Sequence, residues 1–414
     1  MNILLTNLTY KPHFGGVENS LFYIAQEYKE MGHNVVIMCS DVNFVKKEGL
    51  THCEILDSIK VFRYKRYNPK SKLLKLFLPI SDIVNSYFLA KKLHTQYKFD
   101  FSIARNMKVG VGVYFALKQV PIIHILPAIS RHQDKIAVND FSKFTLKKII
   151  SLISNKITIF QNDFFQKFLI KSSNYNIVFS QNMYTQVNEL TKVDNSKILK
   201  IYPGVDSNRF TQSNNKLQLR EELNIDKNKK IFLIIGRLIE VKNISIVIKS
   251  FINVKSEERL LIIVGDGPKL NDLKSLVLKY NLEQYMIFFD KTNKPEKFYQ
   301  ISDAFIMSSS YEPFGQTILE AMSTGLPIIA FKSDGINVRT ATEEIVENAV
   351  NGLLCEYSTD ELTKSIDNFI NLSEEKVKII GWNNREKVKR IYSWKIFVEK
   401  ILKLNIKNTT IKSE

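Results

Sequence analysis

Glu312 and Glu320, with seven residues between them, lie in the densest chemical segment of the chain, residues 302–330, which reads SDAFIMSSSYEPFGQTILEAMSTGLPIIA. An apolar run at 304–307 predicts a strand. The polar stretch after it carries Pro313 and Gly315, and a helix is expected to open near Gln316 and to end at Gly325. Backbone N–H groups at such a helix start have no partner within the helix and lie at the positive end of its dipole, which suits a phosphate. Gly315 allows close approach of the chain. Glu312 at the strand exit and Glu320 about one turn into the helix can face one crevice at the carboxyl ends of parallel strands, where carboxylates accept hydroxyl hydrogen bonds. Taken alone, the two acids are equally a loop acid and a solvated helix-start acid. Two cations add to them: Gly236, Arg237 and Leu238 follow an apolar run at 231–235, and Lys242 comes five residues after Arg237. The loop Gly265, Asp266, Gly267, Pro268 follows another run at 260–264; by itself it is an ordinary turn.

These residues need a scaffold of parallel strands, and the pattern supplies one. Short runs apolar on both faces occur at 3–5, 35–38, 122–126 and 157–160, then at 231–235, 260–264, 286–289, 304–307 and 327–331, with helical patterns between them. Runs of this kind read as buried parallel strands covered by helices. The 414 residues exceed one ordinary core, and 44% hydrophobic with 24% charged residues fits a globular enzyme. The fold class is therefore α/β twice over, two Rossmann-like lobes implying a cleft. A turn at Tyr202, Pro203 and Gly204 places the boundary, giving a first lobe at 1–202, a second at 203–392 and a terminal helix and tail at 393–414. In that tail Trp394, Phe397, Val398, Ile401 and Leu402 recur at helical spacing. The first six residues lack a basic start and a small-residue cleavage site, so a cytoplasmic location is expected. Cys39, Cys53 and Cys355 are too few and scattered for a disulfide framework or a zinc site, and all three are expected to be buried.

Taken together, the motifs resemble glycosyltransferase family 4, retaining enzymes of GT-B fold. The paired glutamates Glu312 and Glu320, the Gly236-Arg237-Leu238 run with Lys242, and the turn at 264–268 carry the resemblance. Gly15-Gly16-Val17-Glu18, Gly32-His33-Asn34-Val35, and Pro203-Gly204-Val205-Asp206 with Phe210 extend it over essentially the whole chain, and the Trp394 helix resembles the family's crossover tail. The resemblance implies transfer of a sugar from a nucleotide-diphosphate sugar to a glycan or glycolipid hydroxyl. It implies that Arg237 and Lys242, with the amides of Gln316 and Thr317, hold the diphosphate. Glu320 would hold the ribose and Glu312 the donor sugar, with Gly236, Phe314 and Gly315 also at the donor. Gly15 and Gly16 would close from the opposite lobe, and His124 would lie near the sugar. A lone histidine is otherwise read as structural.

No Asp-x-Asp pair occurs, so no metal or other cofactor is expected, the cation pair supplying the electrostatics. The chain departs from the family pattern at Asp290-Lys291, where a Gly is usual, which leaves uridine, guanosine and adenosine donors open. It departs again at 334–338, where a Gly-Gly loop is usual.

Of the +17 net charge, residues 1–200 hold +14, from 28 Lys and Arg against 14 Asp and Glu. Such a lobe suits a polyanion. No zinc finger, basic zipper or aromatic RNA-binding motif occurs, so nucleic acid is not expected and an anionic membrane surface is. Two segments were the expected contacts. One is 60–75, with Lys60, Arg63, Lys65, Arg66, Lys70, Lys72 and Lys75 among Phe62, Tyr64, Tyr67, Leu73 and Leu74. The other is a helix over 142–156, with Leu146, Ile149, Ile150 and Ile153 on one face and Lys143, Lys147, Lys148 and Lys156 elsewhere. A nucleotide-sugar 2-epimerase of the same fold, a nucleic-acid-binding protein and a sugar-nucleotide binder with a dead site are the alternatives.

Overall fold

The structure, a computed structural model, describes residues 1–13, 15–43, 49–67, 69, 71, 74–129 and 146–411, with 146–153 and 405–411 described as backbone only. Two compact units divide the chain: Met1–Tyr202 with Phe397–Glu414, and Pro203–Ile396.

In the first unit the strands are β1 (Asn2–Thr6), β2 (Asn34–Ser40), β3 (Cys53–Leu56), β4 (Ile59–Tyr64), β5 (Phe101–Ala104), β6 (Ile122–Ile125), β7 (Tyr175–Val178) and β8 (Ile198–Lys200). They form one sheet in the order β3-β4-β2-β1-β5-β6-β7-β8, parallel except for the β3–β4 pair at one edge. The order turns around at β1, beside β5, and Leu4, Val36, Met38 and Ala104 pack there with helix residues Leu93, Val109 and Leu169. Its helices include α1 (Gly16–Glu30), α2 (Leu78–Tyr97), α3 (Met107–Ala116) and α4 (Leu146–Ser172).

The second unit has six strands, all parallel: β9 (Lys230–Ile235), β10 (Arg259–Val264), β11 (Met286–Phe289), β12 (Ala304–Met307), β13 (Ile328–Phe331) and β14 (Gly352–Cys355), in the order β11-β10-β9-β12-β13-β14. Chain progress runs one way from β9 and the other way from β12, so the crevice where the order reverses opens at the carboxyl ends of those two strands. Phe232, Ile234, Leu261, Ile263, Ala304 and Ile329 fill the core around them, each large apolar side chain contributing roughly 1.5–3 kcal/mol by leaving water.

Three expectations are corrected. Residues 157–160 are not a strand; they lie inside α4, whose polar residues Asn155, Gln161 and Asn162 flank the apolar run. Cys53 is exposed, because β3 is the edge strand. Segment 60–75 is a basic surface only in part: Lys60, Lys65, Tyr67, Leu74 and Lys75 are exposed, but Arg63 is fully buried, its guanidinium bonded to Glu54 and to the carbonyls of Lys11 and Thr51, and Tyr64 is buried too. Arg66 grips the buried carboxylate of Asp82 at 2.8 and 2.9 Å. Lys70, Lys72, Leu73, Lys143 and the side chains of Leu146, Lys147, Lys148, Ile149, Ile150 and Ile153 lie outside the described residues.

Candidate donor-binding site

Three loops meet at the β9–β12 crevice, and backbone hydrogen bonds stitch them together. Ser310 donates its N–H to the Val241 carbonyl at 2.9 Å, and the Ser308 hydroxyl donates to the Lys242 carbonyl at 2.7 Å. From the loop after β13, Arg339 donates its N–H to Ser310 at 2.8 Å and accepts from the Glu312 N–H at 3.2 Å. This stitching presents Lys242 and Glu312 to each other. Lys242 Nζ donates to Glu312 Oε2 at 2.5 Å, and both side chains are 21% exposed, so the pair is reachable from solvent. Arg237, just past β9, is exposed and has no side-chain partner among the described residues. The crevice thus has one cation already paired and one open.

The Gly265–Pro268 turn shapes this loop. A Cβ on Gly265 would sit 1.9 Å from the Gly236 carbonyl oxygen, and Gly265 itself has φ +150°, so only glycine fits where the two loops touch. The Leu238 N–H donates to the Asp266 carbonyl at 2.9 Å, fixing the backbone beside Arg237.

Gly315, at φ +117°, caps the helix Gln316–Ser323. The amides of Gln316 and Thr317 have no acceptor among the described residues, and the Gln316 side chain is held by the Gly204 carbonyl at 3.0 Å. An anion at this helix start would find unpaired N–H groups and a positive dipole end. Phe314 turns inward instead: it is buried, 5.9 Å from the Tyr392 ring.

Glu320 has a different environment from Glu312. Its Oε2 accepts the phenol of Tyr299 at 2.8 Å, and Tyr299 is itself fully buried, with Phe210 and Phe305 rings 5.6 and 5.9 Å away. Burial pushes the Glu320 carboxyl up to about 7; the Tyr299 hydrogen bond and the Arg209 charge pull it down, and Glu296 pushes it up. Arg209 is itself tied to Glu296 by Nε at 3.0 Å and to the Asn293 carbonyl at 2.6 Å. The motifs did not single out Tyr299 or Arg209. An aromatic residue one helix away in sequence gives no spacing signal, and only the fold shows that Tyr299 meets Glu320.

Gly15 and Gly16 stand at the start of α1 in the first unit; a Cβ on Gly16 would meet nothing within 4 Å. Thr9 donates its hydroxyl to Glu18 at 2.5 Å. His124 is enclosed in β6, 1% exposed, and burial drives its imidazole down to about 3, so it is neutral at any physiological pH. Beside it Arg105 is buried, donating to the Ile125 carbonyl at 3.2 Å and to the Ser20 hydroxyl at 3.0 Å, with burial lowering its guanidinium to about 10. His124 thus lies within the sheet with Arg105 beside it. Among the described residues no group of three His, Cys, Asp or Glu is placed to hold a metal, and no helix is long and apolar enough to cross a membrane.

Two parallel-sheet Rossmann-like units, the second with cations, acids and a glycine-capped helix start at its crevice, define a glycosyltransferase of the GT-B type. The chain belongs to glycosyltransferase family 4: the Glycosyltransferase Family 4 model matches residues 14–209 and the Glycosyl transferases group 1 model residues 215–393. It is 29% identical to N-acetyl-alpha-D-glucosaminyl L-malate synthase from Bacillus anthracis over 225 residues, about half of each chain at 54% and 56%. It is 27% identical to UDP-Gal:alpha-D-GlcNAc-diphosphoundecaprenol alpha-1,3-galactosyltransferase from Escherichia coli, over 88% of this chain and 89% of that one. Its fold matches Anabaena Alr3699/HepE, solved with UDP and glucose, at a TM-score of 0.74 with 21% identity and full coverage of both chains.

Proposed function

We propose that the chain is a retaining, metal-independent hexosyltransferase that takes its sugar from a uridine-diphosphate donor and passes it to a hydroxyl of a lipid-linked or surface-polysaccharide glycan, working at the inner face of the plasma membrane. The observation that carries the donor reading is the grouping of Arg237, the Lys242–Glu312 pair and the unpaired amides of Gln316 and Thr317 in one crevice. Cleaving the bond from sugar to diphosphate builds negative charge on the leaving group. Arg237, Lys242 and the helix start meet that charge, and preorganised donors of this kind contribute ~3 to 4 kcal/mol each in oxyanion holes. Glu320 accepts the ribose hydroxyls and Glu312 a hydroxyl of the sugar once Lys242 turns to the phosphate. No side chain of the set is assigned as a nucleophile. A phosphate oxygen of the leaving group takes the acceptor's proton as the acceptor attacks the face that the leaving group vacates. The uridine donor and the lipid-linked acceptor are supported by the activity of the Escherichia coli relative and by UDP in the Anabaena structure.

A thermal-stabilisation screen of nucleotide sugars tests the donor, since a ligand at 100 times its Kd adds ~2.7 kcal/mol. UDP-hexoses are expected to raise Tm above GDP- and ADP-sugars, and turnover to persist in excess chelator. A response to none of them, or activity only with added magnesium or manganese, would overturn the reading.

A further inference from the structure

In the basic segment that suggested a membrane, Arg63 and Tyr64 fold inward while Lys60, Lys65, Tyr67, Leu74 and Lys75 stay exposed, and the first unit carries a further apolar surface beside it. Along α2 and the turn before it, the outermost line is Phe77, Ile80, Val84 and Phe88, spaced three, four and four residues apart, with Phe88 64% exposed. The opposite side of the same helix buries Leu89, Ala90 and Leu93 in the core. A helix that covers a sheet in water presents polar residues on its outer line, and this one does not. On α4 the outer line is Ile157, Phe160 and Phe164, with Phe160 70% exposed. Gln161, next to Phe160, donates to the carbonyl of Leu76, next to Phe77, at 3.1 Å, so the two lines adjoin. Between these helices α3 packs on both, its Tyr114 and Phe115 rings lying 5.7 and 5.5 Å from Phe168 of α4.

The unpaired charge that the described residues of these helices carry is basic. Among α2, α3 and α4 the acids are Asp82 and Asp163; Asp82 is buried under Arg66, and Asp163 is paired with Lys167 at 2.9 Å. Lys75, Lys91, Lys92, Lys156 and Lys171 are exposed around the apolar residues. Aromatic and aliphatic side chains rimmed by lysines, with no free carboxylate among the described residues of the three helices, match the interface of an anionic bilayer, where rings enter the headgroup boundary and ammonium groups meet lipid phosphates. A second copy would bring the same exposed lysines, Lys75, Lys91, Lys92 and Lys156 among them, to the contact and set like charges against each other.

We infer that the α2–α4 face, through Phe77, Ile80, Val84, Phe88, Phe160 and Phe164, seats the first unit on an anionic lipid surface. The inference rests on the proposed lipid-linked acceptor only for its purpose, and binding is read without turnover, so the two fail separately. Cosedimentation with phosphatidylglycerol vesicles and with phosphatidylcholine vesicles is the test, with UDP binding measured on the same preparations. The unaltered protein is expected to bind phosphatidylglycerol vesicles at low salt, to release as salt rises, and to bind phosphatidylcholine at least tenfold more weakly. Phe88→Ser with Phe160→Ser removes side chains that are mostly in solvent, so the fold and UDP affinity stay while vesicle affinity falls at least tenfold. Lys91→Glu with Lys92→Glu is expected to weaken binding to phosphatidylglycerol and spare the residual binding to phosphatidylcholine. No retention on phosphatidylglycerol at low salt, or full retention of the Phe88→Ser and Phe160→Ser protein, overturns the inference. Self-association of the unaltered protein that those two substitutions abolish overturns it in favour of a contact between copies.

Discussion

Replacing Tyr299 with phenylalanine removes one oxygen from the interior and is expected to move the pH at which the protein begins to bind nucleotide. With its carboxyl pushed up to about 7, Glu320 in the empty site is about half ionised at neutral pH and about one-tenth ionised at pH 6. Ribose hydroxyls need the ionised acceptor. The sign follows: the ionised form is lost as pH falls through 7, so UDP affinity falls about tenfold for each pH unit below it. The Tyr299 phenol, 2.8 Å from Oε2, favours the ionised form. A hydrogen bond to a charged group is worth ~1.5–3 kcal/mol, and each pKa unit corresponds to ~1.36 kcal/mol, so its loss raises the midpoint by about one to two units. Tyr299→Phe should therefore bind UDP about 5- to 50-fold more weakly at pH 7 and recover most of that loss near pH 9. Calorimetric titration of UDP from pH 6 to 9, on the unaltered protein, Tyr299→Phe and Glu320→Gln, reads this directly. A Tyr299→Phe profile weakened equally at every pH would refute the reasoning, because the phenol would then be acting through packing. So would a Glu320→Gln protein that kept the wild-type pH dependence.

Three further outcomes are expected. Arg237→Ala or Lys242→Ala lowers kcat by on the order of a hundredfold or more with the Tm little changed, measured by steady-state transfer; unchanged turnover would remove both from the leaving group. Glu312→Gln leaves free UDP affinity intact and damages turnover, whereas Glu320→Gln weakens UDP and donor alike; equal loss of UDP in both variants contradicts the division of roles. Because the folded protein holds Glu320 above the ordinary carboxylate range, the folded state binds an extra proton between pH 4.5 and about 7, and its stability falls across that window. Glu320→Gln should therefore stabilise the ligand-free protein by up to about 3 kcal/mol at pH 8, with a raised Tm, and leave it nearly unchanged at pH 4.

Much of the scaffold was legible because parallel strands covered on both faces are apolar on both faces: 231–235, 260–264, 286–289 and 304–307 each coincide with a strand to within a residue. The same rule misled at 157–160, since a short apolar run inside a long helix has no period of its own. It also passed over β5 and β7, where Ser102 and Asn176 interrupt the run yet are buried. At the site, Arg237, Gly315 and the start of the helix Gln316–Ser323 follow from turn chemistry, which is local. What stayed hidden is contact across distance: Lys242 with Glu312, Tyr299 with Glu320, and Arg105 beside His124. Burial was hidden as well, since nothing in the order of residues says that Arg63 or Phe314 turns inward while Phe88 and Phe160 turn out.

The Lys242–Glu312 bond bears on which small anions the crevice can take. To use Lys242 as well as Arg237 and the helix start, an orthophosphate would have to draw the lysine away from a carboxylate 2.5 Å off and would leave that carboxylate facing another anion. A sugar nucleotide offers both partners something at once, phosphate oxygens to the lysine and a hydroxyl proton to the acid. The exchange is balanced only for a molecule that carries both groups at the right separation. For the donor proposed above, this internal pairing would tilt the crevice toward a molecule with both groups and away from phosphate alone.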